Sequence, residues 1–145
     1  MTPDQRHQHY AEVINPRLQH LGAEICNASA MDDEVLGAVA YQNLVSFYEE
    51  QVAAGHWHPS FTESVGDFTH DAAAALVYYR RALDEARRLP DQTHSILLCM
   101  AERLNWLGQT EQAEACLAEG RADAVRLGDK HCIEQADRIL KEMTS

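Results

Sequence analysis

Two stretches of this chain carry the same apolar stripe. Ala75, Tyr79, Ala82, Ala86 and Leu89 recur at spacings of four, three, four and three, and Ala113, Leu117, Gly120, Ala124 and Leu127 repeat that order 38 residues later. With about 3.6 residues per turn, such spacing puts each set on one face of an α-helix. Small residues alternating with large ones let two helices approach closely and interlock. The flanks echo as well, Arg88-Leu89 and Asp91 recurring as Arg126-Leu127 and Asp129. A generic amphipathic helix accounts for the spacing, but not for the matched small–large order or the flanks. A repeat of helical hairpins is therefore expected, because one hairpin cannot bury its apolar face alone and a stacked neighbour covers it.

Local signals divide the chain into about six helices. Thr2 can cap the first, with Pro3 in its first turn and Gln5 completing a capping box. Tyr10, Ile14, Leu18, Leu21 and Ile25 continue along one face. Pro16 predicts a kink or break at Asn15-Pro16, and Asn27-Ala28-Ser29 reads as a connection. A second helix is expected from about Asp32 to Ala54, burying Tyr41, Leu44, Val45, Tyr48 and Val52, with Gly55 closing it. After a polar and aromatic segment come helices over Asp71–Leu89, Gln92–Leu107 and Thr110–Leu127. Gly108 turns the chain, Gly128 caps, and Asp129 opens a final helix to about Met143. No alternating β-branched run occurs, so the fold class is all-α.

Composition sets the boundaries. At 145 residues and 46% apolar, the chain suits one domain with a real core. No apolar run approaches the roughly 18 residues a membrane helix needs, and the opening Thr2-Pro3-Asp4-Gln5 lacks the apolar centre of an export signal. A cytoplasmic protein is expected. Cys26, Cys99, Cys116 and Cys132 form no Cys-x-x-Cys pair and read as reduced structural residues. Net charge is −11, from 23 acids against 12 bases, and residues 1–65 hold nine acids against Arg6 and Arg17 alone. So acidic a surface repels phosphate backbones, which argues against nucleic acid. The one basic cluster, Arg80, Arg81, Arg87 and Arg88, reads as a solvated helix face with Arg80–Asp84, Arg81–Glu85 and Asp84–Arg88 pairs.

The stretch LLCMAERLNWLGQTEQAEACLAEGRADAVRLGD resembles a tetratricopeptide repeat. Leu97, Met100, Ala101 and Leu104 take the places of that family's first helix, Gly108 its turn, and Ala113, Leu117 and Gly120 its second helix. An earlier copy reads as split: Tyr41, Leu44, Val45 and Tyr48 on one side, Ala75, Tyr79 and Ala82 on the other, with residues 55–70 as an insertion. The resemblance divides a single domain, 1–145, into an N-terminal helix (1–30), a split repeat (31–89), the clearest repeat (92–128) and a closing helix (129–143) carrying Cys132, Ala136 and Ile139. It implies a right-handed α-α superhelix, an antiparallel hairpin stack whose concave face binds peptides or proteins. On that alignment the groove presents Gln42, Ser46 and Glu49, then Leu98, Glu102 and Asn105, then Ile133 and Asp137. None is basic, unlike the Lys, Arg and Asn with which family members hold C-terminal carboxylates. A basic or mixed polar–apolar segment is the expected ligand, and a homo-oligomer stays open.

No phosphate loop, Gly-x-Ser-x-Gly, His-Glu-x-x-His or EF-hand motif occurs, and no catalytic residue or cofactor is expected. Eight histidines give the alternative. His56, His58 and His70 lie in a His-rich stretch, 56–71, in which His70-Asp71 resembles a doublet of metal-dependent phosphohydrolases; a small hydrolase or ligand sensor would use them as metal ligands. His7 and His9, two apart on a helix, point away from each other. In segment 56–70, Trp57, Phe61, Val65 and Phe68 recur at helical spacing, and His58-Pro59-Ser60 can open a short helix. Trp57 and Phe61 are expected to pack on the stack and shape a wall or end of the groove.

Overall fold

The local signals at the start of the chain act as read. In the computed structural model, which describes Met1–Ser145, the Thr2 hydroxyl accepts the Gln5 N–H at 3.1 Å and the Gln5 side chain accepts the Thr2 N–H at 2.8 Å. This box opens α1 (Pro3–His9), followed without interruption by a π turn (Tyr10–Ile14) and α2 (Asn15–Ala30). The break expected at Asn15-Pro16 is absent. Proline lacks an N–H and its ring crowds the carbonyl four residues back. The helix widens just ahead of it instead, the Asn15 N–H reaching back five residues to the Tyr10 carbonyl. Nor do residues 27–29 form a connection: Ala28, fully buried, faces Gly37 of the next helix, which holds that last turn in place.

Most later helices begin on a side-chain or glycine signal. Asp33 caps α3 (Glu34–Ala53), accepting the Leu36 N–H at 2.9 Å, and Gly55 leaves it at φ +84°. His58 caps α4 (Pro59–Asp67) through Nδ1, which accepts the Ser60 N–H at 3.1 Å. Asp71 caps α5 (Ala72–Arg88). Then follow α6 (His94–Trp106), α7 (Thr110–Leu127) and α8 (Lys130–Thr144), the last capped by Asp129. There is no strand, and counting α1–π–α2 as one rod gives seven helices, the addition to the expected six being α4.

Packing corrects the pairing. The extensive pairs are α2 with α3, α4 with α5, α5 with α6, α6 with α7, and α8 with both α7 and α6. The partner of α5 is thus α4 rather than α3, and the segment expected as an insertion forms a packed helix of the fold. Gly66 makes this possible: a Cβ there would lie 2.8 Å from the Tyr79 ring, so only glycine admits the tyrosine. The repeated stripe is buried at Ala75, Tyr79, Ala82, Ala86, Leu89, Ala113, Leu117, Gly120 and Ala124. Leu127 is the exception at 42% exposed, lying beside the 90–94 loop.

Two side-chain expectations fail with clear causes. None of the three arginine–carboxylate pairs on α5 forms among the ion pairs of the protein. Glu85 turns inward to 5% exposure, Arg81 donates to the Tyr48 hydroxyl at 3.3 Å, and Arg88 sits 4.8 Å over the Trp57 ring. Aromatic partners with a fixed position prevail over flexible surface pairs worth about 0–1 kcal/mol. Tyr41, Val45 and Val52 are only half-buried, since α3 packs chiefly on α2. All four cysteines are free, Cys132 buried and Cys26 exposed. No helix is long and apolar enough to cross a membrane.

Candidate functional site: an acidic cleft between α4, α5, α6 and α8

The buried face of α4 carries Phe61, Thr62, Val65 and Gly66, which leaves Glu63 and Asp67, four residues apart, on another face. These two carboxylates form one side of a cleft of about 610 Å³. Tyr79 of α5 forms its floor, α6 contributes Ser95, Cys99, Glu102 and Arg103, and α8 contributes His131, Cys132, Glu134, Gln135 and Arg138.

Hydrogen bonds hold the floor rigid. The Tyr79 hydroxyl donates to Asp67 Oδ1 at 2.7 Å, and the Cys99 thiol points to the same oxygen at 3.7 Å. Arg103 donates to the Thr69 carbonyl at 2.8 Å, with its guanidinium 5.7 Å above the Tyr79 ring and 4.9 Å from Trp106. Buried and committed, it ties α6 to the end of α4. Arg138 approaches Glu102 at 3.9 Å across the mouth.

The carboxylates are not at ease there. Desolvation and then repulsion from Asp67 push Glu63 up to about 7, against a hydrogen bond with Ser95. Burial raises Asp67 as well, opposed by its bonds with Tyr79 and Cys99, and it raises Glu102, opposed by Arg138. Glu63, Asp67 and Glu102 thus hold protons more tightly than in water, in a poorly hydrated cleft that Glu134 also lines. A cation entering the cleft would stabilise their charged forms.

Of the eight groove residues expected from the repeat alignment, Glu102 alone lines the cleft. Leu98 is fully buried, its side chain packed where a Gly120 Cβ would lie 3.0 Å away. Gln42 and Glu49 are exposed on α3, where Gln42 donates to Ser46 at 3.3 Å, and α4 rather than α3 walls the cleft. Asn105 is half-buried outside it, Ile133 packs, partly buried, against the core cluster that includes Leu98, and Asp137 pairs with Arg121 at 2.9 Å. The face α6 does present is Ser95, Cys99, Glu102 and Arg103.

Neither aromatic contact expected of segment 56–70 falls in the cleft. Trp57 lies between Arg6, 3.8 Å from its ring, and Arg88; Arg6 also donates to the carbonyls of Gly55 and Trp57 at 2.9 Å. Phe61 has no exposed surface and packs edge-on to Tyr48 at 5.0 Å. Glu63 and Asp67, on the other face of α4, carried no signal in the sequence beyond their four-residue spacing.

The histidines do not converge as a triad. His56 lies tilted against His9 at 3.8 Å and His58 stacks on Tyr10 at 4.2 Å, while His70 stands exposed. His58 Nε2 meets His7 Nδ1 at 3.0 Å, and Asp91 approaches within 4.8 Å of both. Since His58 Nδ1 accepts the Ser60 N–H, its proton sits on Nε2 and is donated to His7. That nitrogen has no lone pair for a metal while the α4 cap stands. Burial, then His7, lowers His58 to about 4.

No protein-family model matches this sequence, and neither a curated protein nor a solved structure shows significant similarity to it.

Proposed function

We propose that this chain is a non-catalytic protein-binding module, an adaptor, client chaperone or immunity-type inhibitor, that takes a basic or mixed polar–apolar segment of a partner protein into the cleft between α4, α5, α6 and α8. The carrying observation is the convergence of Glu63, Asp67 and Glu102 on one cleft whose two nearest arginines are already engaged. A lysine or arginine of the partner would relieve their repulsion, and a net charge of −11 would draw such a segment in. Resemblance of the 97–129 stretch to a tetratricopeptide repeat, a class of peptide-binding stacks, supports the same reading. A cytoplasmic setting belongs to it, in keeping with four free thiols. The alternative, a metal-dependent hydrolase or sensor built on His56, His58 and His70, draws no support from their separate environments.

The test is capture from the native host with the full chain as bait, identification by mass spectrometry, and titration of the captured partner. Replacing Glu63 and Glu102 by glutamine should weaken binding by about 10–100-fold, the scale of one charge-assisted contact or two, and added salt should weaken the parent. Equal affinity for the double variant, or preference for an acidic C-terminal peptide, would overturn the proposal.

A further inference from the structure

A second polar cluster lies at the junction of α6 and α8. His94, in the first turn of α6, is 3% exposed, and its Nε2 stands 2.8 Å from Asp129 Oδ2. Asp129 uses its other oxygen, Oδ1, to accept the Cys132 N–H at 3.2 Å as the cap of α8. Cys132 is 5% exposed, and one donor atom from each of the three residues lies within 4.8 Å of the others. We propose that His94, Asp129 and Cys132 bind a divalent transition-metal ion of the zinc class, which joins the first turn of α6 to the first turn of α8.

Geometry supports this. Around a tetrahedral zinc ion with bonds of about 2.0–2.3 Å, neighbouring donors stand roughly 3.3–3.6 Å apart. Small side-chain shifts bring the three into that range. The backbone need not move: Asp129 Oδ2 can bind the ion while Oδ1 keeps the cap. An imidazole, a thiolate and one carboxylate make a donor set that zinc favours over magnesium or calcium.

The contrast with His7, His58 and Asp91 decides between the two clusters. His58 Nδ1 is committed to a backbone N–H, which fixes its proton on Nε2. His94 Nδ1 is buried with no hydrogen-bond partner. Its proton can therefore move from Nε2 to Nδ1 without breaking a bond at Nδ1, and Nε2 then has a lone pair for the metal.

The proton balance is simple. Cys132 loses its proton to solvent as the metal–sulfur bond forms. His94 changes tautomer, Asp129 is already ionised, and the charges +2, −1 and −1 sum to zero. The Asp129 side chain is 35% exposed, so water can supply a fourth ligand. Cys132 also lines the acidic cleft, but none of Glu63, Asp67 and Glu102, on which the proposed function rests, is a ligand here.

The experiment titrates cobalt(II), then zinc, into the reduced, metal-free full chain. One equivalent of cobalt should give a thiolate-to-cobalt charge-transfer band, which zinc removes. Binding should release one proton, so affinity rises about tenfold per pH unit in the neutral range. Cys132→Ser should abolish the band and weaken zinc by more than about 100-fold, beyond the loss typical of outer-shell changes. His7→Ala and Cys99→Ser should alter neither. Circular dichroism of each variant reports folding, and His94→Gln serves if Cys132→Ser unfolds. No band in the parent, a band that survives in Cys132→Ser, or a band lost in Cys99→Ser would overturn the site, as would zinc binding that depends on His7.

Discussion

Gly120 sits where α7 comes down on α6, and a Cβ there would meet Leu98 at 3.0 Å and the His94 carbonyl at 3.2 Å. Gly120→Leu should therefore overpack the junction and cost about 1–3 kcal/mol, read from chemical denaturation; unchanged stability would mean the backbones can part. That position was legible, because a glycine in the middle of an apolar stripe on a helix signals close approach. Glu63 was not, since nothing in a lone glutamate announces a desolvated neighbourhood. Its carboxyl, raised to about 7, favours the folded state when protonated, so this contribution is full below about 4.5 and fades as pH rises through 7. His58, lowered to about 4, has the opposite sign: its contribution is present above about 6.5 and fades as pH falls through 4. Between about 4.5 and 6.5 the two slopes oppose each other, so stability should be nearly flat there and fall on either side. Glu63→Gln should abolish the alkaline fall and leave a melting temperature that rises with pH up to about 6.5.

At the scale of elements, α4 carries the largest revision. Its Trp57, Phe61, Val65 and Phe68 spacing announced a helix, but a stripe says only that a face is buried, not which helix covers it. The repeat alignment gave α5 the longer and more apolar α3 as its partner; Gly66 against Tyr79 is the contact that gives it α4. Phe61→Ala should cost about 3–5 kcal/mol as a core truncation. Trp57→Ala, away from the cleft, should leave partner affinity unchanged while loosening residues 55–58 from α1, which proteolysis or hydrogen exchange would detect. The π turn before Pro16 was legible only as trouble at a proline. A π turn amounts to one residue inserted in an α-helix, so deleting Ala11 should restore regular geometry and rotate α1 by about 100° against α2. Arg6 and His7 would then lose Gly55, Trp57 and His58, and melting should fall even though the chain has become more regular.

Taken whole, the protein has cores laid out in chain order. Ile14, Leu18, Leu21, Leu44, Tyr48, Phe61 and Val65 pack together in the N-terminal part; a second cluster runs from Ala75 to Ala113, and a third joins Leu98 and Leu117 to Ile139. The all-helical class and most helix limits followed from caps, glycines and spacing. The arrangement of the cleft did not, because it depends on which rods lie side by side. Helices that contact chiefly their neighbours along the chain lose structure piecewise. Hydrogen exchange should therefore show Ile139→Ala exposing α8 and α7 well before α2 and α3, and uniform loss would contradict this. Except for α6 with α8, the extensive helix pairs join consecutive helices, so almost nothing at the start of the chain waits for its end. On a ribosome the first core would be complete once α5 had emerged, while α6, α7 and α8 were still being made. Each new helix would find a finished surface to settle on, and the acidic cleft, which needs α8, would open for business last.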